Sequence, residues 1–468
     1  MTHVHFIGIG GSGLSAIARI LLESGYVVSG SDRQLTPVAE QLSKAGVQIM
    51  VGHHPDHVVG ADLVIRSSAV MDDNLEVLAA KASGIPVLKR AEFLGKLTAG
   101  RQVIAVAGTH GKTTTTAMLS WMLTYLGLDP SFIIGGISHN LGTNAHAGNG
   151  DYFIIEADEY DRMFLGLRPG HAVVTNIEYD HPDCFPTPQD YFQAFVEFAN
   201  CIDENGTLIA CIDDPGSARL IQEIKFQGRN TVSYGVDSIL NRDHPDFEAI
   251  DISLNEVGCF RFTLIKYGQP LAEVSLQVPG EHNVRNALGT LVVADYLNLP
   301  MEEAARCLGD FQGTGRRFEI RGEVAGVTVI DDYAHHPSEI RATLASARAR
   351  FGGQSLWAVW QPHTYSRTRL FFKEFANAFI DADHVLVTEV YGAREESPGD
   401  FSAMQLVEAM NHNDAHFVPG VKEATDYLID RLRTGDILLV LSAGDGDQIS
   451  ANIVESLSHD RSAIHARR

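Results

Sequence analysis

Basic residues are scarce in this chain. Its 36 Lys and Arg stand against 59 Asp and Glu, a formal net charge of −23, so the cationic face that nucleic acid or an acidic membrane requires is not expected. A nucleotide substrate remains compatible with that balance, because a few cations and backbone N–H groups inside a cleft can outweigh a negative exterior locally. Cysteine is rare too. The 5 present (Cys184, Cys201, Cys211, Cys259 and Cys307) form no C-x-x-C pair, and this odd, scattered set predicts reduced thiols rather than a disulfide framework. No apolar run approaches the length of a membrane span, and the N-terminal MTHVHFIGIGGSG enters an apolar strand without a basic flank or a small-residue cleavage site. Those absences predict a cytoplasmic protein with no membrane insertion. Internal repeats, low-complexity tracts and long linkers are also missing.

What is present is an alternation of short apolar runs and helical patterns, over 468 residues, more than one ordinary core can serve. The first series holds HVHFIG, a helical face at Leu14, Ile17, Ala18 and Leu21, then YVVSGSD, DLVIRSS and PVLKRAEF, a parallel α/β pattern. A second starts at VIAVAG and continues through a helix from Thr113, YFIIEAD and AVVTNIEYD; the later runs TLIAC, NTVSYG, CFRFTLIKYG and LAEVSLQVPG suggest an antiparallel patch. The glycine-rich FQGTGRRF reads as a hinge before a third series of VTVIDDY, SLWAVWQPH, HVLVTEVYG and DILLVLSAGDGD. The expected architecture is α/β in three domains. Residues 1–100 would form a Rossmann-like parallel sheet, 101–312 a P-loop ATPase-like α/β domain with a small antiparallel sheet, and 313–468 a second Rossmann-like α/β domain.

Two glycine loops lie between an apolar strand and a helix. The first, Gly8-Ile9-Gly10-Gly11-Ser12-Gly13, is a G-x-G-x-x-G that lets backbone approach a diphosphate at a helix N-terminus, with Asp32 at the next strand end placed for a ribose or base. Taken alone it reads as dinucleotide-binding, or simply as a tight turn. The second, AVAGTHGKTTTT, departs from G-x-x-x-x-G-K-[ST]: Val106 stands where the first glycine belongs and Gly108 comes two residues late. Lys112 and Thr113 still supply a cation for the β and γ phosphates of ATP and a hydroxyl for Mg²⁺. Carboxylates at neighbouring strand ends, Glu156 in YFIIEADEYD and Glu178 and Asp180 with His181 in AVVTNIEYDH, predict a metal site rather than a solvated loop. In the third series Asp331-Asp332-Tyr333-Ala334-His335-His336-Pro337 reads as a helix cap or a site edge; zinc is disfavoured because adjacent histidines diverge and no tetrahedral set completes them.

In this order, G-T-H-G-K-T-T, E-A-D-E, T-N-I-E-x-D-H, H-N-x-x-N, G-T-G-R-R-F and D-D-Y-A-H-H-P resemble the Mur ligase family of peptidoglycan synthesis over essentially the whole chain, the displaced glycine included. GIGGSG, DDYAHHP and QPHTYSRT are most similar to the branch that adds the first amino acid, L-alanine, to UDP-N-acetylmuramate. That resemblance implies an ATP- and Mg²⁺-dependent ligase working through an acyl phosphate. It implies ATP contacts at Gly108, Thr109, His110, Gly111, Lys112, Thr113, Thr114, Asn283, Asn286, Arg317 and Asp332, and metal ligation by Thr113, Glu156 and His181. Lys112, Glu156, His181 and Arg317 would carry the chemistry. The UDP substrate would sit on Gly8, Gly10, Gly11, Ser12, Gly13 and Asp32, and L-alanine near His336 and Arg367. Later-acting siblings carry a carbamylated lysine some way after the equivalent of His181, whereas here no lysine occurs from His181 to Lys225. A ligase that recycles a whole tripeptide shares GTHGKTTT and EADEYD and is the alternative within the family. A nicotinamide-dependent dehydrogenase would explain GIGGSG and Asp32 but not the second loop, and a noncatalytic nucleotide switch is the third class. Monomer and dimer are both compatible with the sequence.

Overall fold

The computed structural model describes residues 1–236 and 244–459; residues 237–243 and 460–468, part of the expected central and third domains, lie outside the described residues. The chain forms three sheets in succession. The first is fully parallel, five-stranded, with strands Gln48–Val51, Val27–Asp32, His3–Ile7, Leu63–Arg66 and Val87–Lys89 in that spatial order. Its order reverses beside His3–Ile7, so the crevice at that strand's C-terminal end, where residues 8–13 turn, is the switch point at which such sheets hold ligands. The helix Ser12–Glu23 that follows buries Leu14, Ile17, Ala18 and Leu21, the face expected from their spacing.

The central sheet has ten strands. A run of seven parallel strands, from Ser131–Ser138 through Gln102–Ala107 to Phe247–Leu254, forms its body, and Phe260–Lys266 and Gln269–Ser275 continue it antiparallel from Phe247–Leu254, which is itself paired to Asn230–Val236. The antiparallel patch is therefore an edge of the main sheet, not a separate layer. Register aligns the functional ends: Val106 lies opposite both Glu156 and Val173, so the loop after Ala107 opens beside Glu156 on one side and residues 175–181 on the other. The third sheet has six strands, all parallel except the edge strand Glu319–Val324. Helices repeatedly begin with a capping side chain followed by proline, at Thr36-Pro37, Thr187-Pro188, Asp214-Pro215 and His336-Pro337, because the missing proline N–H costs nothing in a first turn.

The two seams between sheets differ. One continuous apolar core runs from Phe6, Ile17 and Leu21 through Phe93 and Leu94 to Phe153, Phe164 and Phe195, joining the first sheet to the central one. The third sheet has its own cores around Trp360 and Leu438. It meets the central unit at the site through polar pairs such as Ser338 with Glu178 and Arg367 with Asp180. Among the described residues no helix is long and apolar enough to cross a membrane.

Candidate active site

The second glycine loop explains its own departure from the usual spacing. Val106 is still strand, paired on both sides, so no turn is possible there. Gly108 makes the turn instead, at φ +132°, and a Cβ there would lie 2.1 Å from Thr175 Oγ1. Only glycine tolerates both the conformation and the approach. Gly111, at φ +81°, opens the helix Lys112–Tyr125, and a Cβ on it would meet Asn286 Oδ1 at 2.5 Å. Asn176 pins the loop between them, accepting from the His110 N–H at 2.9 Å and donating to its carbonyl at 3.1 Å.

Lys112 faces the buried carboxylate of Glu159, and Thr113 the half-buried carboxylate of Glu156. The Lys112 Nζ donates to the carbonyl of Thr109 at 3.1 Å and pairs with Glu159 Oε2 at 2.8 Å. Burial alone would lower the lysine pKa, but Glu159 and Asp158 outweigh it and raise it. Glu159 mirrors this: burial raises its pKa, and Lys112 and His181 pull it down to about 2. The Thr113 hydroxyl donates to Glu156 Oε1 at 3.1 Å, and the Gly135 N–H to Glu156 Oε2 at 2.7 Å. Burial raises the Glu156 pKa against the opposing pull of Lys112 and Arg317. A hydroxyl and a carboxylate this close, with oxygen donors only, make a set suited to a hard divalent cation.

A cleft of about 300 Å³ opens from these groups toward the third sheet, lined by His110, Gly111, Thr113, Thr114, Asn283, Asn286, Arg317 and Asp332 among others. Eight of the expected nucleotide residues thus share one cavity. Asn286 donates to Asn283 Oδ1 at 2.9 Å, one turn away on the helix His282–Tyr296, so the pair orients itself. Asp332 accepts from the N–H groups of Phe318 and Ala334, both at 2.7 Å, and burial, offset in part by Arg317, lifts its pKa to about 6. Arg317 lies 3.7 Å from Glu339. His110 bridges the seam, with Nε2 3.0 Å from Glu178 and Nδ1 3.1 Å from Glu339; burial pulls its pKa down, but Glu339 and Glu178 raise it to about 9. His110, Glu178 and His336 also place one ligand-type atom each within 4.8 Å of one another. A cationic His110 between two carboxylates accounts for that cluster without an ion.

The remaining expected residues are placed around this cavity. Gly108 and Thr109 lie behind it, Thr109 donating to the Glu178 carbonyl at 2.8 Å. His181, at φ +55°, turns its Nε2 toward Glu159 at 3.6 Å. Arg367 is buried, bonded through Nε to Asp180 Oδ1 at 2.8 Å and 3.5 Å from His181 Nδ1. His336 is buried against Phe371 and 3.7 Å from Glu178, its Nδ1 serving as the cap of the helix Pro337–Phe351. The first loop stands apart, on the first sheet. There Asp32 is turned onto the loop itself, accepting from the Gly10 N–H at 2.8 Å and the Arg33 N–H at 2.7 Å; this shapes the loop before any ribose contact. Sequence reasoning missed Glu159 and Glu339. The signals were the second glutamate of E-A-D-E and the glutamate three residues after the capping His336, but their partners lie 47 and 229 residues away.

A strand-loop-helix turn carrying Lys112 and Thr113, faced by a third α/β sheet, defines an α/β protein of three sheets with the layout of a nucleotide-using enzyme. The chain matches the Mur ligase family catalytic domain over residues 3–102, the Mur ligase middle domain over 106–294 and the Mur ligase glutamate ligase domain over 316–444. It is 42% identical to the UDP-N-acetylmuramate--L-alanine ligase of Roseiflexus sp. (strain RS-1), over 97% of this chain and 99% of that one. A similar ligase of Caldanaerobacter subterraneus subsp. tengcongensis is 38% identical, over 97% of both chains. The crystal structure of UDP-N-acetylmuramate-alanine ligase from Thermotoga maritima superposes with TM-score 0.83 at 30% identity, covering 98% of this chain and all of that one, 100%. A murein peptide ligase from Psychrobacter arcticus superposes with TM-score 0.71 at 27% identity, covering 98% and 99%. The chain belongs to the Mur ligase family.

Proposed function

We propose that the protein joins L-alanine to the carboxylate of UDP-N-acetylmuramate, with ATP as the phosphoryl donor, in peptidoglycan biosynthesis. The observation that carries this reading is whole-length similarity to L-alanine ligases, in a chain whose Lys112 and Thr113 face the carboxylates of Glu159 and Glu156, with Thr113 lining the cleft. Residues 1–100 would hold the UDP sugar on Gly8, Gly10, Gly11, Ser12 and Gly13, with Asp32 bracing the loop. Residues 101–312 would hold ATP, and 313–468 the amino acid together with part of the nucleotide. Such an enzyme, consuming ATP and a UDP sugar, works in the cytoplasm.

Magnesium fits the donors present: Thr113 Oγ1 and Glu156 Oε1 lie 3.1 Å apart, and both are the oxygen type this ion prefers. When bound it would neutralise charge on the β and γ phosphates. His181, on the far side of Glu159, is the proposed ligand of a second ion. In the first step a muramoyl carboxylate oxygen bonds to the γ phosphorus as ADP leaves with the bridging oxygen. Lys112 and Arg317 approach the transferring group from the central sheet and from the hinge, so cations flank the charge that develops. Asn283, Asn286 and Asp332 orient the nucleotide, and the seam held by His110 keeps water from the acyl phosphate. In the second step the nitrogen of L-alanine bonds to the acyl carbon and gives up a proton to solvent, and phosphate leaves with the C–O electron pair. Arg367 is the proposed partner of the amino-acid carboxylate, with His336 beside it.

The tripeptide-recycling reaction is the second reading, and the Psychrobacter structure favours it less than the Thermotoga one, at TM-score 0.71 against 0.83. Phosphate release with UDP-N-acetylmuramate and ATP, comparing L-alanine with the tripeptide as acceptor, separates them. Turnover with L-alanine is expected; turnover with the tripeptide alone would overturn the proposal.

A further inference from the structure

We propose that Arg90 is a diphosphate-binding residue, a guanidinium that supplies the cation the first glycine loop lacks; this rests on the reading that the loop holds a UDP sugar. Residues 8–13 contain no basic side chain, and Asp32 at the next strand end already accepts from Gly10 and Arg33. Backbone N–H groups at the start of Ser12–Glu23, a helix with no side-chain cap and no acid in its first turn, provide partial positive charge. A diphosphate carries more negative charge than one helix end offsets.

Arg90 opens the helix Arg90–Leu97, directly after the edge strand Val87–Lys89. Its guanidinium lies on the backbone of Gly13: a Cβ on that residue would stand 2.1 Å from Nη1 and 2.4 Å from Cζ. Gly13 is thus required for this contact, beyond the turn it helps to make. The Arg90 Nε–H is shut off from solvent with no acceptor. No side-chain hydrogen bond or ion pair of this half-buried arginine occurs among the described residues, although a buried N–H normally finds an acceptor. Burial depresses its pKa, with Asp158 and Glu156 of the central sheet opposing, and an arginine stays charged under any such shift. The cation therefore stands between the first loop and the carboxylates of the second.

The backbone beneath Arg90 is held. Phe93 and Leu94 of its helix belong to the apolar core shared by the first two sheets, and Gly166 comes so close that a Cβ there would lie 2.1 Å from the Ala91 carbonyl oxygen. A planar fork fixed in this way suits bidentate contact with phosphate oxygens. The ligand class it fits is a nucleoside diphosphate whose substituent extends toward Glu156.

The test uses the full-length enzyme and the variants Arg90→Ala, Arg90→Lys and Gly13→Ala. For Arg90→Ala the KM for UDP-N-acetylmuramate should rise roughly 10- to 100-fold, while the KM values for ATP and L-alanine and the melting temperature stay put. Direct titration should show that the wild type prefers UDP to UMP and that Arg90→Ala loses most of that preference, with Arg90→Lys in between. Gly13→Ala, which displaces the guanidinium, should reproduce the loss. Should Arg90→Ala fail to fold, Arg90→Lys and Gly13→Ala carry the same comparison. An unchanged KM and an unchanged UDP-to-UMP preference in folded variants would overturn the assignment. A wild type without ligase turnover would overturn the proposed function instead, while the UDP and UMP titrations would still decide the role of Arg90.

Discussion

Residues 8–13 and residues 108–112 both lead from the end of a parallel strand into a buried helix, yet they handle charge in opposite ways. The first stretch carries no cation of its own: the acid beside it, Asp32, accepts from the loop's Gly10 N–H, and a guanidinium is lent by Arg90 from another helix. The second carries its own cation, Lys112, and sets it against buried Glu159 while Thr113 meets half-buried Glu156. A loop of the first kind can grip a diphosphate that stays intact. One of the second kind holds cation, hydroxyl and carboxylates together, the set needed to bind a metal-bridged triphosphate and part with one phosphoryl group. Their surroundings follow suit, with an apolar seam fixing the first loop's sheet to the centre and a charged seam closing over the second.

The strongest break comes at the second loop. Lys112→Ala should lower ligase turnover by about 10³-fold, with UDP binding unchanged by titration; equal losses of UDP and ATP affinity would erase the contrast. Glu156→Gln should cost about 10²-fold in kcat and shift the Mg²⁺ requirement upward, read from phosphate release against Mg²⁺ concentration. At the first sheet the expected effect is on stability. Glu76 is fully buried and accepts from Ser31 Oγ at 2.5 Å and faces His57 Nδ1 at 2.7 Å; burial raises its pKa, but His5, Ser31 and His57 outweigh it and bring it from 4.5 to about 2. Glu76→Gln should cost about 3 kcal/mol at neutral pH. A depressed carboxylate stabilises above its unfolded pKa, so the cost should hold above pH 4.5 and vanish as pH falls through about 2, as thermal melts across pH would show. The smallest effect is at the charged seam. His110 has its pKa raised from 6.5 to about 9, so its stabilisation is complete below pH 6.5 and lost as pH rises through about 9. The melting difference between wild type and His110→Asn should shrink over that range.

Much of this was legible in the sequence, unevenly. The three α/β series and the helix face at Leu14, Ile17, Ala18 and Leu21 follow from local period and Thr113 from the glycine loop that holds it, whereas Asn283, Asn286, Arg317 and Asp332 were placed at the site by the family resemblance. The shifted glycine was visible as an oddity, whereas its cause, strand pairing at Val106 and contact with Thr175, needs neighbours 67 residues on, as in the Val106–Val173 pair. Glu159, Glu339 and Arg90 were not legible as site residues, because each gains meaning only from a partner on another sheet or strand. Asp32 was read by its position at a strand end; its actual engagement with Gly10 depends on the loop's fold. Polar residues that act across long separations leave no periodic trace.

The division of labour between the two loops is tested most directly by titrating UDP and ADP separately into wild type, Lys112→Ala and Gly13→Ala. Lys112→Ala should lose ADP affinity at least about 10-fold and keep UDP affinity, and Gly13→Ala should do the reverse. Parallel loss of both nucleotides in either variant, or tight NADH binding that UDP does not displace, would contradict it.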